Sequence, residues 1–335
     1  MNHFVLMQRR SATIFMQRVL LLLQSLPLRA AIVPALFIVC LLFASTSLSA
    51  ATGVPVNFVL IRGGEFTMGS PEGEVGRAEA KAVAQQFGIE YSETQHQVRV
   101  SDFYMGRYAV TVAEFRQFVA ATGYRTDAEK GGFSIIFVDN QVKKGEGVNW
   151  RDGVLGRVRP QSEDNHPVLH VSWNDAVAYC QWMSQKTGKR FRLPMEAERE
   201  YACRAGSRTP FNTGENLTTA QANYDGNYPY KNNQKGVYRA NTVAVNSFAP
   251  NAWGLYNMHG NVLEWCSDLY GGSYYDQCKA SGTVSNPAGP ATGSDRVLRG
   301  GSWDDDAGDG RSADRSYDTP DDRNYDAGFR LAFVP

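Results

Sequence analysis

An α+β domain rich in irregular backbone, preceded by an export segment, is what this sequence predicts. Three observations carry that prediction. Hydrophobic periodicity changes from alternation to helical spacing at Thr111. Beyond Gly206 the chain holds most of its Asn, Gly, Asp and Tyr, broken only by short apolar runs such as "TVAVNSF" and "RVLRGG". No periodic repeat and no Pro- or Ser-rich linker divides residues 55–333, so one domain accounts for them. The 335 residues are 43% hydrophobic and carry no formal net charge. That composition supports a sizeable core and excludes nucleic acid as a partner, because phosphate binding draws on a surplus of Lys and Arg.

At the start, Arg9, Arg10, Arg18 and Arg29 precede "AAIVPALFIVCLLFA", and no charge occurs from Ala30 to Ile61. The apolar run is shorter than the ~20 residues of a membrane span. The small residues of "STSLSAAT" then suit cleavage near Ala50 or Ala51, so residues 1–50 are expected to be a signal peptide. Left uncleaved, the segment becomes a membrane anchor, the one route by which this chain would meet a membrane. Cys40 in "FIVC" lacks the small residue that precedes a lipidated cysteine. The expected location is the periplasm or the cell surface.

Next comes "NFVLIRGGEFTMGS", a strand, a Gly-Gly turn and a second strand. The polar stretch "PEGEVGRAEAKAVAQQFGIEYSETQ" has weak periodicity and is expected to be an exposed loop or insertion. "HQVRVSDFYMGRYAVT" alternates as a pair of strands. In "TVAEFRQFVAATG", Val112, Phe115, Phe118 and Val119 share one helical face, with Thr111 as N-cap and Gly123 as stop. "SWNDAVAYCQWMSQKTGK" repeats the pattern: Ser172 caps, Asp175 takes the box position, and Ala176, Tyr179, Cys180 and Met183 face inward. "PMEAEREYACRAG" is a third helix, opened by Pro194, with Glu196 and Glu198 at its favourable end.

Beyond residue 50 the cysteines are Cys180, Cys203, Cys266 and Cys278. Outside the cytosol four thiols permit two disulfides in three connectivities. Cys266 and Cys278 flank a Gly- and Tyr-rich loop that a bridge would close, while Cys180 and Cys203 suit buried thiols in helices. No CxxC pair supports a zinc site. His166 and His170 lie four apart, but "HPVLH" contains Pro167 and reads as extended, so both are expected to hydrogen-bond in a loop. Neither a GxSxG elbow nor a Ser-His-Asp order is present.

Four blocks, "IRGGEFTMGS", "HPVLHVSWNDAVAYCQWMSQKTGKRFRLPMEAEREYACRAG", "NAWGLYNMHGNVLEWCSDLYG" and "RVLRGGSWDDD…RSADR…PDDRNYDAGFRLA", together resemble the formylglycine-generating enzyme (sulfatase-modifying factor) family from about Asn57 to Ala332. The resemblance implies a variant of the C-type lectin fold. It also implies a cleft at Trp265, Ser302 and Trp303. The family's oxidase turns a sulfatase cysteine into formylglycine with copper and dioxygen, its metal held by two cysteines just past the "GGS" turn. The matching positions here are Asp305 and Gly310. A carboxylate and a bare backbone lack the soft sulfur that copper(I) prefers, so copper oxidase chemistry is not expected. The iron-dependent sulfoxide synthases of the family rely on a separate His-rich domain that this chain lacks. Two calcium sites are implied, one from Asn232 or Asn233 with Asn246 and the Phe248 carbonyl, the other from Asn261 and Glu264.

The final stretch, residues 299–330, holds nine aspartates, five arginines and five glycines. Arg311, Arg315, Arg323 and Arg330 are expected to clamp carboxylates or carbonyls as an internal scaffold, together with Gly300, Gly301, Trp303, Gly328 and Phe329. Between them stand Asp304, Asp305, Asp306, Asp309, Asp314, Ser316, Tyr317, Asp318, Asp322, Asn324, Tyr325 and Asp326. This set resembles the variable region of retroelement-diversified proteins, which implies a display surface. The main functional expectation is therefore an exported module binding a protein, peptide or glycan through this surface. The alternative is a periplasmic oxidoreductase or maturation enzyme, since a branch of the family matures the siderophore pyoverdine. A structural partner in an envelope complex is the third reading.

Overall fold

The computed structural model describes residues 55–335 apart from Phe87 and Asn140. The export segment expected over residues 1–50 lies outside the described residues. Among these, thirteen strands of at most seven residues form four small sheets. The first has the order β1 (Phe58–Ile61), β4 (Phe103–Gly106), β13 (Ala332–Phe333), β7 (Phe191–Arg192). The second runs β11 (Ser316–Asp318), β10 (Arg296–Arg299), β8 (Leu263–Leu269), β12 (Ala327–Gly328). A third joins β2 (Gly64–Met68), β3 (His96–Val100) and β9 (Val284–Ser285). The fourth is a hairpin of β5 (Phe133–Val138) and β6 (Gln141–Glu146). Six helices connect them: α1 (Arg77–Gln86), α2 (Val112–Thr122), α3 (Asp127–Gly131), α4 (Trp173–Thr187), α5 (Glu196–Arg204) and α6 (Tyr274–Ala280). None is long and apolar enough to cross a membrane.

Local signals account for the helices that were expected. Thr111 Oγ1 accepts from the Glu114 N–H at 3.1 Å while Glu114 returns the bond to the Thr111 N–H at 2.9 Å, and Gly123 closes α2 in the left-handed region at φ 66°. Ser172 and Asp175 form the same reciprocal pair at the start of α4. Ser172 Oγ also donates to Asp127 at 2.7 Å, tying α4 to α3. Ser172→Ala is therefore expected to cost about 1–2 kcal/mol, the upper range for an N-cap. An unchanged unfolding midpoint would show that water replaces the cap without loss.

The two capped helices pack through aromatic rings. Phe115 and Phe118 of α2, Tyr179 of α4 and Phe329 share centroid distances of 5.3–6.3 Å. Val119 and Met183, expected on the inner faces, are only half-buried. In β3 the alternation holds: Val98 and Val100 are buried, Gln97 and Arg99 exposed.

Two expectations fail. The polar stretch after Ser70 is not all loop, since its centre forms α1, whose one fully buried side chain is Ala84. The C-type lectin fold is also wrong. The chain is a mixed α+β architecture with a curled half-barrel sheet, its strands dispersed over small sheets. A loop-heavy, polar second half records how little regular structure there is, not how strands connect.

Candidate active-site cleft

The last stretch folds around buried guanidinium groups. Arg311 Nη1 and Nη2 each donate to Glu93 at 2.8 Å, and the same head group reaches Glu74 at 2.9 Å and Asp314 at 3.1 Å. Arg315 holds Glu196 through Nε at 2.7 Å and Nη2 at 3.1 Å, with its guanidinium 3.9 Å from the Tyr275 ring centre. Arg299 pairs with Glu200 and donates to the carbonyls of Ser312, Ala313 and Asp314. Arg330 grips Glu264 bidentately at 2.7 and 2.6 Å and caps the carbonyls of Gly106 and Tyr256. The internal scaffold expected of the arginines is present. Arg323 takes part differently, donating to the carbonyls of Phe133 and Asp321 from a partly exposed position. Gly300 is required by this packing: at φ 105° a Cβ would stand 2.6 Å from Arg199 Nη2.

Above that frame opens a cleft of about 520 Å³. One wall is the last stretch, with Asp305, Asp306, Asp309, Ser316, Tyr317 and Asp318; Leu263 and the Glu79–Ala84 side of α1 complete it. The one cationic lining residue, Arg315, is already spent on Glu196. The other charged lining residues are carboxylates, and burial raises Asp305, Asp306 and Asp309 above the usual carboxylate range, Asp309 to about 7. Burial, reinforced by the hydrogen bond and charge of Asp322, pushes the Asp318 carboxyl up to about 8. Asn324 Nδ2 donates to both Asp318 and Asp322, holding the pair together. Burial, with the charge of Asp305, likewise pushes Asp326 up to about 8. A carboxyl titrating in this range can exchange a proton with substrate near neutral pH.

Several expected site residues stand elsewhere. Trp265, Ser302 and Trp303 are fully buried and do not line the cleft; Trp265 Nε1 donates to the Val171 carbonyl and Trp303 Nε1 to that of Tyr325. Tyr325 is core, 5.4 Å from Phe137 and 5.9 Å from Trp303; Asp314 borders the cleft, but its carboxylate is held in the Arg311 cluster. Asp304 turns to the Tyr238 hydroxyl at 2.5 Å. Such positions cannot vary freely, which removes them from a display surface. Tyr317, half-buried on Tyr270 at 4.3 Å, does line the cleft. Leu263 and α1 were missed; the only signal for α1 was the short stripe of Ala80, Val83 and Ala84 at helical spacing.

The implied metals do not fit. Asp305 accepts from the Ser302 N–H at 2.8 Å, and the Gly310 carbonyl accepts from His259 Nδ1 at 2.7 Å. Neither presents sulfur. Glu264, implied for calcium, has both oxygens on Arg199 and Arg330, a setting that repels a cation. Asn261 Oδ1 accepts from the Val243 N–H and Asn223 Nδ2. In the other implied set the asparagine side chains are exposed or engaged elsewhere. Asn232 is exposed, Asn233 turns to Asn216 and Leu217, Asn246 accepts from Asn165, and Phe248 lies 5.2 Å from the Arg239 guanidinium. Among the described residues no group of three or more His, Cys, Asp or Glu is arranged to hold a metal. Cys266 and Cys278 are free and buried rather than bridged. Cys203 Sγ lies 3.7 Å from both nitrogens of His259, so it faces the C–H edge of the ring; those nitrogens serve Gly310 and the Asn212 N–H. His166 bonds Thr242 and His170 bonds Ser134 and Gly153, as loop residues do.

Fold and cleft together define a domain of the sulfatase-modifying-factor type. The family described as "Sulfatase-modifying factor enzyme 1-like domain" matches residues 46–334, and the chain belongs to it. It is 38% identical over 306 residues to the formylglycine-generating enzyme of Bos taurus, covering 83% of this chain and 75% of that one. Among solved structures, PvdO from Pseudomonas aeruginosa superposes with a TM-score of 0.62 at 29% identity, covering 83% of this chain and 94% of that one. Treponema denticola variable protein 1 superposes at 0.56 with 23% identity, covering 83% and 95%, a likeness of fold alone.

Proposed function

We propose that this chain is an exported maturation enzyme, an oxidoreductase acting on a cationic, peptide-like substrate held in the carboxylate cleft. The observation that carries the reading is the cleft wall itself, where Asp318 titrates near 8 and no free cation faces it. The likeness to PvdO supports a maturation role over the binding-module reading. The substrate would lose two electrons and two protons. Asp318 would accept one of those protons from the bound substrate and pass it on, so that dioxygen takes up both electrons and both protons and leaves as hydrogen peroxide. Asp305, Asp306 and Asp309, whose carboxyls burial raises, would ionise against the substrate's positive charge and hold it.

The test uses a cysteine-free probe, Ac-Lys-Tyr-Lys-Tyr-Lys-NH2, beside a sulfatase-derived cysteine peptide, with chelator-treated protein. Oxygen uptake and peroxide formation are expected with the lysine–tyrosine peptide, rising with pH through about 8 as Asp318 ionises. Asp318→Asn is expected to lower the rate by about 10²-fold or more, the scale of a lost general base, and to flatten that rise. Turnover confined to the cysteine peptide and restored only by copper would overturn the proposal, as would an unchanged pH profile in the variant.

A further inference from the structure

β2 pairs along one side with β3 and, among the described residues, with no strand on the other. A five-residue strand spans about 17 Å. On an open side, alternate residues turn N–H and C=O away from the partner, which makes a template for another chain. Proteins usually blunt such edges with proline, lysine or a bulge. "GEFTM" has neither residue, and its register to β3 runs unbroken from Gly64↔Val100 to Met68↔His96. Its one charge, Glu65, is paired with Arg99 of β3.

Beside this edge lies a groove of about 570 Å³ that shares no lining residue with the carboxylate cleft. Three aromatic rings stand in a lining that is otherwise mostly polar. Phe66, from β2 itself, sits 5.1 Å from Tyr201 of α5, which sits 4.8 Å from Trp253. Tyr201 is fixed by donating to the Arg62 carbonyl at 3.1 Å. Arg208 stands exposed at the rim, and the Ser207 hydroxyl is shielded from solvent with no hydrogen-bond partner.

We propose that this edge and groove dock an extended polypeptide. The incoming segment adds to β2 as a fourth strand, seats a large apolar side chain against Tyr201 and Trp253, and places an acidic residue beside Arg208. Backbone pairing supplies affinity and alternate side chains supply selectivity. A saccharide would use the rings but leave the strand edge unpaired, so the edge favours a peptide. This site is independent of the oxidoreductase reading, because none of its residues touches the cleft.

The probe is Ac-Thr-Val-Phe-Thr-Glu-Thr-NH2, titrated calorimetrically into the whole exported protein and into Asp318→Asn. Equal binding to both is expected. N-methylating alternate amides of the probe should weaken it by about tenfold or more, the value of one or two net hydrogen bonds. Trp253→Ala and the surface change Arg208→Glu should each weaken binding while leaving the far-ultraviolet spectrum unaltered. No heat at millimolar probe, or equal affinity for the methylated form, would overturn the proposal. So would a concentration-dependent doubling of mass that Arg208→Glu abolishes, since the occupant would then be a second copy.

Discussion

Replacing Arg311 by alanine is expected to remove about 3–5 kcal/mol of folding stability, the cost of stranding buried charge. The side chain is fully buried and serves Glu93, Glu74 and Asp314 at once. Burial alone would raise the Glu93 carboxyl. The guanidinium hydrogen bonds and charge, with the hydroxyls of Ser70 and Tyr91, outweigh it and hold the group at about 2. An unfolded glutamate titrates near 4.3, roughly, so the folded value is depressed. That contribution is complete above about pH 4 and is lost as pH falls towards 2. Denaturant titrations of both proteins should therefore show a gap that narrows on acidification within that window. A constant gap would assign the loss to packing rather than to charge.

Asp326→Asn is expected to act in the opposite direction. Its Oδ1 has no hydrogen-bond partner and no solvent contact, and its carboxyl is raised to about 8 by burial and by Asp305. An unfolded aspartate titrates near 3.9, roughly, so the folded state binds this proton more tightly. Ionisation then opposes folding, and wild-type stability from this group falls as pH rises from about 4 through 8. The amide cannot ionise. Its unfolding midpoint should exceed wild type by several degrees at pH 9 and match it at pH 4. An equal gain at both values would assign the effect to repacking rather than to the buried charge.

Residues that speak locally were legible before the structure. Thr111 and Gly123, or Ser172 and Asp175, bracket apolar stripes of helical period, and physics leaves such segments few alternatives. Arginines set among aspartates predicted a guanidinium frame, and its partners Glu93, Glu196, Glu200 and Glu264 lie scattered through the chain. What stayed hidden depended on contacts between distant segments. The apolar side of α1 is only Ala80, Val83 and Ala84, a stripe too short and too small-sided to stand out in a polar stretch. Tyr325 looked like a surface residue by type, yet Phe137 on β5 covers it. Leu263 carries no chemistry and enters the cleft only because β8 delivers it there. That Asp305 and Gly310 offer no sulfur could be read from the sequence alone. The two arginine partners of Glu264 are 65 and 66 positions away, so its ion pairs could not be read from the sequence around it.

Strand β13 is inserted between β4 and β7 instead of lying at a border of its sheet. It acts as a keystone: β4 meets β7 only through it, so residues 103–106, 191–192 and 332–333 must come together before that sheet closes. Pairing across such sequence separations raises contact order, and assembly slows accordingly.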